Sequence, residues 1–319
     1  MKSTINKLYV GIDICKAKLD IHCNEWKSVE VFSNDKNGIN ALFRALQKVS
    51  GQKDLHLVCE ATGGYEKTLL NAAFNKEISI SLINPRQIRD FAKAGGILAK
   101  TDAIDASVIT HYAETFHPRL ATPPSKEIES LQQAVRHRSA LVKQRMREEN
   151  MLTQISDSFV KKDIQSSIKS IKKRIKKMEN QIQSIISADE NLARKSELMQ
   201  ELQGVGPVVS SSLLAEMPEL GSISNNQAAS LLGVAPFNDD SGPRKGKRRT
   251  KGGREFIRKT IYMPVLSAIR YNPIFKDFYN RLISKGKPHH VAAIAVMRKL
   301  ICLINRMLSD PDFKPQKIN

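Results

Sequence analysis

Short apolar runs separated by polar turns fill the first third of the chain. LYVGIDIC, from Leu8 to Cys15, is β-rich, and after a short basic turn LDIHC and VEVF continue as further strands. Strands in such close succession predict an antiparallel meander. A helical stretch from Asn37 to Val49 follows, then strand LHLVC, a Gly-Gly turn, a helix from Glu66 to Phe74, strand ISISLI and a helix opened by Pro85 at its first position. Strands followed by β-α-β alternation predict a mixed sheet flanked by helices. After AGGILAKT, Asp102 begins another helix running to about Thr115. HPRLATPPSKE, interrupted by Pro118, Pro123 and Pro124, then reads as a linker.

Beyond the linker the period changes. Ile164, Ile168, Ile171, Ile175, Met178, Ile182 and Ile185 are spaced by alternating steps of four and three, with Lys and Arg at many positions between them. That spacing predicts a coiled-coil seam, paired either with the stretch from Ile128 to Ile155 of the same chain or with a second subunit. One long amphipathic helix lying on a globular core has the same signature. From Leu198, LQGVGPVVSSSLLAEM resembles a helix-hairpin-helix, whose GVGP turn would present amides to a phosphate at the next helix's N-terminus. An ordinary helix pair turned at Gly204, Gly206 and Pro207 is the other reading. A loop rich in Gly, Pro and charge spans Gly233 to Gly253, and helices Arg254 to Tyr271, Pro273 to Ile283 and His289 to Leu308 complete an all-α region. The expected boundaries are residues 1–120, 121–195 and 196–319.

Charge narrows the choice of partner. The 319 residues carry 51 Lys+Arg against 32 Asp+Glu, a net charge of +19, with 41% hydrophobic residues to build cores. Such a field attracts polyanions, which makes nucleic acid the leading partner over a merely solvated basic surface. Cys15, Cys23, Cys59 and Cys302 show no CxxC spacing, and the first three of them sit in apolar strand-like runs typical of reduced thiols. No stretch suits a signal peptide, and none approaches the roughly 20 apolar residues of a membrane span. The expectation is a soluble protein of the prokaryotic cytosol or nucleoid, with no membrane partner.

Against that background the carboxylates in apolar settings carry the chemistry. Asp13 lies inside an apolar strand, where an ionised group is expensive unless paired, hydrogen-bonded or bound to metal. Asp20 occupies a similar place in the next strand, so a structural role in strand pairing is equally open for both. Glu60 falls just past LHLVC, at a strand end, where α/β sheets expose functional groups. Asp102 and Asp105, three apart at a helix start, could chelate one cation, although their spacing alone favours a capping box with Asp102 as the cap. Together, a carboxylate on the first strand of a meander, one at a later strand end and two on a following helix make the layout of ribonuclease H-like nucleases. Their paired divalent cations stabilise the attacking and leaving oxygens of a phosphodiester. Mg²⁺ suits an oxygen-only shell, while the scattered His and Cys give zinc no obvious site.

GIDICK, CEATGGYE, NPRQIRDFAKAGG and AKTDAIDA, followed in order by LQGVGP, LLGVAP and DDSGPRKGKRRTKGG, resemble the DEDD transposases of bridge-RNA-guided insertion sequences, the Piv invertase-like recombinase family. The resemblance covers nearly the whole chain. It implies an RNase H-like (RuvC-like) N-terminal domain with α/β architecture, a coiled-coil connector and a helical C-terminal transposase domain carrying the helix-hairpin-helix-like motif. It carries the metal-binding acids over to Asp13, Glu60, Asp102 and Asp105, and the nucleophilic serine to Ser241, in one composite active site. It implies Mg²⁺, a noncoding bridge RNA as guide, donor and target DNA as substrates, and a homo-oligomer, a tetramer built as a dimer of dimers.

Around Ser241 the residue chemistry is compatible with that role. Arg244, Lys245, Lys247, Arg248, Arg249 and Lys251 follow closely, and Arg254 and Arg258 open the next helix, so phosphate-binding charge is concentrated beside the hydroxyl. Without the resemblance, a serine in NDDSGP is more often a turn residue bonding its own backbone. Ser210, Ser211 and Ser212 lie in an apolar helix and compete weakly as nucleophiles, and His289 and His290 are assigned no catalytic role. The expected function is Mg²⁺-dependent cutting and rejoining of DNA through a covalent serine-DNA intermediate. The alternative enzyme is a RuvC-like structure-selective nuclease in which metal-bound water attacks and Ser241 is a loop residue. A non-enzymatic nucleic-acid-binding scaffold is a third reading.

Overall fold

The computed structural model describes residues 7–97, 99, 101–237, 240–241, 244–246, 248–310 and 312–313, with residues 103, 240, 241, 244 and 245 described by their backbone. The chain divides into two compact units, residues 1–123 and 124–319.

The first unit is built on β1 (Lys7–Ile14), β2 (Lys18–His22) and β3 (Glu30–Ser33), which form the antiparallel meander. α1 (Lys36–Ser50) leads to β4 (Asp54–Glu60), and α2 (Lys67–Asn75) leads to β5 (Ser79–Ile83). Both later strands run parallel to β1, giving a mixed five-stranded sheet of order β3-β2-β1-β4-β5. α3 (Pro85–Ala94) and α4 (Asp102–Phe116) complete the unit. Helices cover both faces of the sheet. On one face Val10 and Ile12 of β1 pack with Ile39, Leu42 and Leu46 of α1 and Leu69 of α2. On the other, Tyr9 and Val58 pack with Ile88 of α3 and Ile109 of α4. Burial on both sides explains why β1 reads as a nearly continuous apolar run. This is the ribonuclease H-like arrangement that the sequence predicts.

Local chemistry sets the helix starts. Asp35 caps α1 by accepting from the Gly38 N–H at 2.8 Å, and Asn84 caps α3 with Pro85 in its first turn. α4 departs from expectation at this level. Its cap is Thr101, whose side chain accepts from the Ile104 N–H at 3.3 Å, so Asp102 stands inside the first turn and the Asp102 capping box does not form. The hydroxyl one residue earlier satisfies the open amide in place of the Asp102 carboxylate.

In the second unit α5 (Lys126–Leu152) and α6 (Ser158–Ser187) form a helical hairpin. α7 (Glu190–Gln200), α8 (Pro207–Glu216), α9 (Asn225–Leu232), α10 (Glu255–Tyr271), α11 (Pro273–Ser284) and α12 (His289–Ser309) form the rest of the helical body. Its core gathers Leu213, Leu232, Ile261, Phe275, Met297 and Ile301. Asp157 caps α6, and the residues 153–157 form the turn of the hairpin. Ile164, Ile168, Ile171, Ile175 and Ile182 are buried, with Ile171 and Ile175 packed on Leu141 of α5, so the seam's partner is in the same chain. At its far end Ile186 is the buried residue and Ile185 only partly so, because a 3.6-residue turn drifts away from a 3.5-residue repeat.

The stretch from Gly233 to Gly253, expected as a loop, holds short strand pairs among its described residues. Its described residues include β6 (Pro236–Phe237) paired with β9 (Arg249–Thr250), and β7 (Asp240–Ser241) paired with β8 (Arg244–Lys245). Among the described residues no helix is long and apolar enough to cross a membrane.

Candidate active site

β1 and α4 run side by side in opposite directions, and their contact places the acids. A Cβ on Gly11 would lie 2.3 Å from the Ala106 carbonyl oxygen, so only glycine lets α4 lie directly on the β1 backbone. Thr110 Oγ1 accepts from the Gly11 N–H at 3.0 Å and donates to the His22 carbonyl at 3.0 Å, pinning the helix to β1 and β2. Farther along, Tyr9 and His117 are joined by a 2.8 Å hydrogen bond between the Tyr9 hydroxyl and Nδ1. With that axis fixed, the first turn of α4 comes to the C-terminal end of β1.

Asp13 stands there, on the face that carries Tyr9 and Gly11. Pairing sets Asp20 directly opposite it on β2. On β4 the last register pair with β1 is Ile12 with Cys59, so Glu60 is the next residue along, on the face shared by His56 and Val58. Asp102 and Asp105 share a face of α4 because they are three apart. Ligand atoms of Asp13, Asp102 and Cys15 all lie within 4.8 Å of one another, a trio that includes neither Glu60 nor Asp105. The four acids named from the sequence thus lie at one end of one sheet face. Cys15, read as a buried thiol, is a half-buried member of the tightest group.

Electrostatics record the crowding. Burial pushes the Asp13 carboxyl above the usual carboxylate range, and the charges of Asp105, Asp102 and Asp20 push it further. Burial likewise raises the Cys15 thiol, with Asp13 and Asp102 adding to the effect. Lys18 is the local answer. Its ammonium lies 2.7 Å from Asp102 and 3.1 Å from Asp20, and these bonds hold it protonated well beyond the ordinary lysine range. Lys18 carries no signal of a site neighbour in the sequence, whereas Asp20 stands out there only as an acid in a strand setting like that of Asp13; both alternate with apolar residues along β2.

A nearby turn is held by its own carboxylate. Gly63 and Gly64 have positive φ, and Glu66 accepts from the Thr62 hydroxyl at 2.5 Å and the Gly64 N–H at 2.8 Å. Burial opposes ionisation of Glu66, but these bonds outweigh it and lower its pKa. GGYE is therefore a strand-to-helix turn just beyond Glu60, as its sequence suggests, with Glu66 as its brace.

Asp13, whose ionisation is penalised by burial and by the neighbouring acids, together with those acids matches the oxygen donor set of a hard divalent cation. Linkage gives this a testable sign. Because the folded pKa of Asp13 is raised, the folded chain holds its proton more tightly than the unfolded chain, and the associated stability is lost as pH rises through the folded pKa. Above that point a divalent cation held by these acids would offset the repulsion that the proton relieves. Thermal unfolding of the full chain should therefore rise by about 3 °C or more in 10 mM MnCl₂ at pH 8, an effect corresponding to about 1 kcal/mol of linkage, and by less at pH 5. Equal shifts at both pH values would count against a cation site at these acids.

In the second unit, Ser241 is paired through its backbone with Arg244 in the β7–β8 ladder. Lys247 lies outside the described residues. Arg248, Arg249 and Lys251 are exposed. Arg254 and Arg258, expected to bind phosphate, are half-buried and also have partners within the protein. Arg254 is 2.5 Å from Glu219, and Arg258 donates to the Gly252 carbonyl at 2.6 Å. They brace the base of the loop. The sequence cannot reveal this, because Glu219 is far from Arg254 in the chain.

Two family models match the chain. One describing a DEDD transposase of the IS110 type matches residues 10–160, and one described as transposase IS116/IS110/IS902 family matches residues 196–280. The chain is 31% identical over 312 residues to the pilin gene-inverting protein of Moraxella bovis, covering 94% of this chain and 95% of that protein. The corresponding protein of Moraxella lacunata matches to the same extent. An uncharacterized 43.6 kDa protein of insertion element IS110 from Streptomyces coelicolor is 24% identical over 150 residues, covering 46% of this chain and 36% of that protein.

Proposed function

Since this chain belongs to the IS116/IS110/IS902 family of transposases, we propose that it cuts and rejoins DNA by Mg²⁺-dependent strand exchange through a covalent serine-DNA intermediate. The observation that carries this reading is the meeting of Asp13 and Asp102 at the end of β1, with Asp105 close enough to perturb Asp13.

In this reading residues 1–120 are the RuvC-like catalytic domain, 121–195 a coiled-coil connector and 196–319 the transposase domain carrying the serine. Asp13, Glu60, Asp102 and Asp105 hold Mg²⁺, which when bound neutralises charge on the scissile phosphodiester. Lys18 releases Asp102 for that task and keeps Asp20 compensated. Ser241 supplies the nucleophile: its Oγ bonds to phosphorus as a phosphodiester P–O bond breaks, the proton lost from its hydroxyl passes by way of solvent to the departing strand oxygen, and a hydroxyl of the second strand later displaces the serine, which regains its proton. Arg244, Lys245, Lys247, Arg248, Arg249 and Lys251 neutralise the phosphates around it. The GVGP turn before α8 presents amides to a further phosphate. A noncoding bridge RNA selects donor and target DNA, and a tetramer built as a dimer of dimers supplies the active sites for paired duplexes.

The test is to purify the protein with its native flanking DNA, sequence any co-purified RNA, and supply that RNA with plasmids carrying matching donor and target sites. Recombinant junctions should form in Mg²⁺ and disappear with EDTA or when the RNA is omitted. Junctions that form without RNA would remove the guide from the scheme, and absence of junctions and nicks under all conditions would remove the activity.

A further inference from the structure

α6 carries a charged surface that neither the carboxylate cluster nor the loop around Ser241 uses. Lys162, Lys169, Lys172, Lys173 and Lys176 are all exposed. At 100° and 1.5 Å per residue they fall within an arc of about 100° along about 21 Å of helix. The apolar side of α6 is occupied by α5, and this stripe runs beside that contact, exposed to solvent. Lys172 lies 3.7 Å from Glu149, while Lys169, Lys173 and Lys176 have no acidic partner among the described residues.

Geometry makes the stripe a track. Lys169, Lys172, Lys173 and Lys176 border an open groove of about 800 Å³ against Leu152, at the end of α5. Lys176 also borders a second cleft of about 360 Å³, together with Arg138, Pro207 and Val208. That second cleft opens on the N-terminus of α8, whose cap Gly206 offers no side-chain acceptor to its amides. A line of cations therefore leads to the positive end of a helix, and each favours an anion. Glu149 and Glu179 also border these grooves, but Glu149 is shared with Lys172 and Glu179 is bonded to Arg138 at 2.8 Å.

Like charge argues against a second copy of the same stripe, and the cost of desolvating unpaired ammonium groups argues against an apolar occupant. Among the described residues no aromatic side chain borders either groove, so bases have nothing to stack on there, and the chemistry offered is that of a phosphate backbone. We infer that the lysine face of α6, continued to the N-terminus of α8, is a sequence-independent docking surface for duplex DNA outside the site of strand exchange. The choice of DNA rests on the proposed function. The surface itself rests on the charges and their alignment.

The test uses the full chain with Lys169→Gln, Lys172→Gln, Lys173→Gln and Lys176→Gln combined, since Gln keeps helix propensity and length of side chain. A control carries Lys27→Gln, Lys36→Gln, Lys48→Gln and Lys93→Gln, four exposed positions in the first unit with the same change in net charge. Binding to a labelled 30-base-pair duplex of arbitrary sequence is followed by anisotropy across a NaCl series. The α6 variant should lose about tenfold or more in affinity at low salt and flatten the plot of log K against log salt by about 3, equally for unrelated sequences, with the control nearly unchanged. Bound duplex should also protect Lys169, Lys173 and Lys176 of the wild-type protein from acetylation, a measurement that needs no variant. Equal losses in variant and control, or no protection of these lysines, would overturn the inference. A loss on duplex RNA with duplex DNA binding retained would overturn it in favour of RNA. If wild-type protein fails to bind any duplex, the proposed function fails first.

Discussion

Asp13→Asn in the full chain should lower DNA strand exchange by about 1,000-fold or more while leaving duplex binding and folding intact. The substitution keeps the side chain's shape and an acceptor for the Ile14 N–H, and removes only charge. That charge is costly to the folded protein, because burial and the nearby Asp105, Asp102 and Asp20 all oppose it. The thermal midpoint should therefore hold steady or rise, whereas the stabilisation by Mn²⁺ should be lost. Asp102→Asn should have the same effect on exchange, with Thr101 keeping the helix capped. Losing one group from a preorganised charged site costs orders of magnitude in rate because the remaining acids no longer hold the cation where charge develops. If Asp13 serves strand pairing instead, Asp13→Asn would lower the midpoint and leave the specific activity of the folded fraction unchanged. That pattern, seen by calorimetry alongside a recombination assay, would remove the metal role.

Ser241→Ala should eliminate the covalent protein-DNA species altogether. Deleting one hydroxyl leaves the carboxylates and the basic residues of the 244–251 stretch in place, so DNA affinity and the Mn²⁺ thermal shift should match wild type. The measurement is a denaturing gel of end-labelled DNA incubated with wild type and variant in Mg²⁺, before and after proteinase digestion. A labelled band that runs with the protein, and collapses on proteolysis, is expected for wild type alone. Its persistence in Ser241→Ala would remove Ser241 from the mechanism. Cleaved DNA without any adduct in the wild type would favour the nuclease reading, in which the carboxylate site acts without a protein nucleophile.

The separation of these two effects follows from how the residues were found. Asp13, Glu60, Asp102 and Asp105 were legible because each lies in a local pattern with a physical cost or signal: an acid within an apolar strand, one at a strand end, two in the first turn of a helix. Ser241 was legible only through the resemblance, since its local setting is that of an ordinary turn. The basic loop was legible as charge, but its members are not equivalent. Arg248, Arg249 and Lys251 face solvent, while Arg254 and Arg258 are half-buried and contact Glu219 and the Gly252 carbonyl.

By itself the sequence determined what depends on neighbours along the chain. Alternating and continuous apolar runs set the meander and the parallel strands, Pro85 and Asn84 started α3, and the four-three spacing of isoleucines marked the buried side of α6. Tertiary structure alone decided what depends on register and on which surfaces meet. It chose α5 as the partner of the isoleucine seam, and Thr101 over Asp102 as the cap of α4. Close contact at Gly11 carried the first turn of α4 to the end of β1, and antiparallel register set Asp20 opposite Asp13. Together these contacts brought Cys15 and Lys18 into the carboxylate cluster. The reason is physical: helix and strand periods are written locally, whereas a cluster's charge balance depends on residues up to 89 positions apart meeting across a packed interface, as Asp13 and Asp102 do.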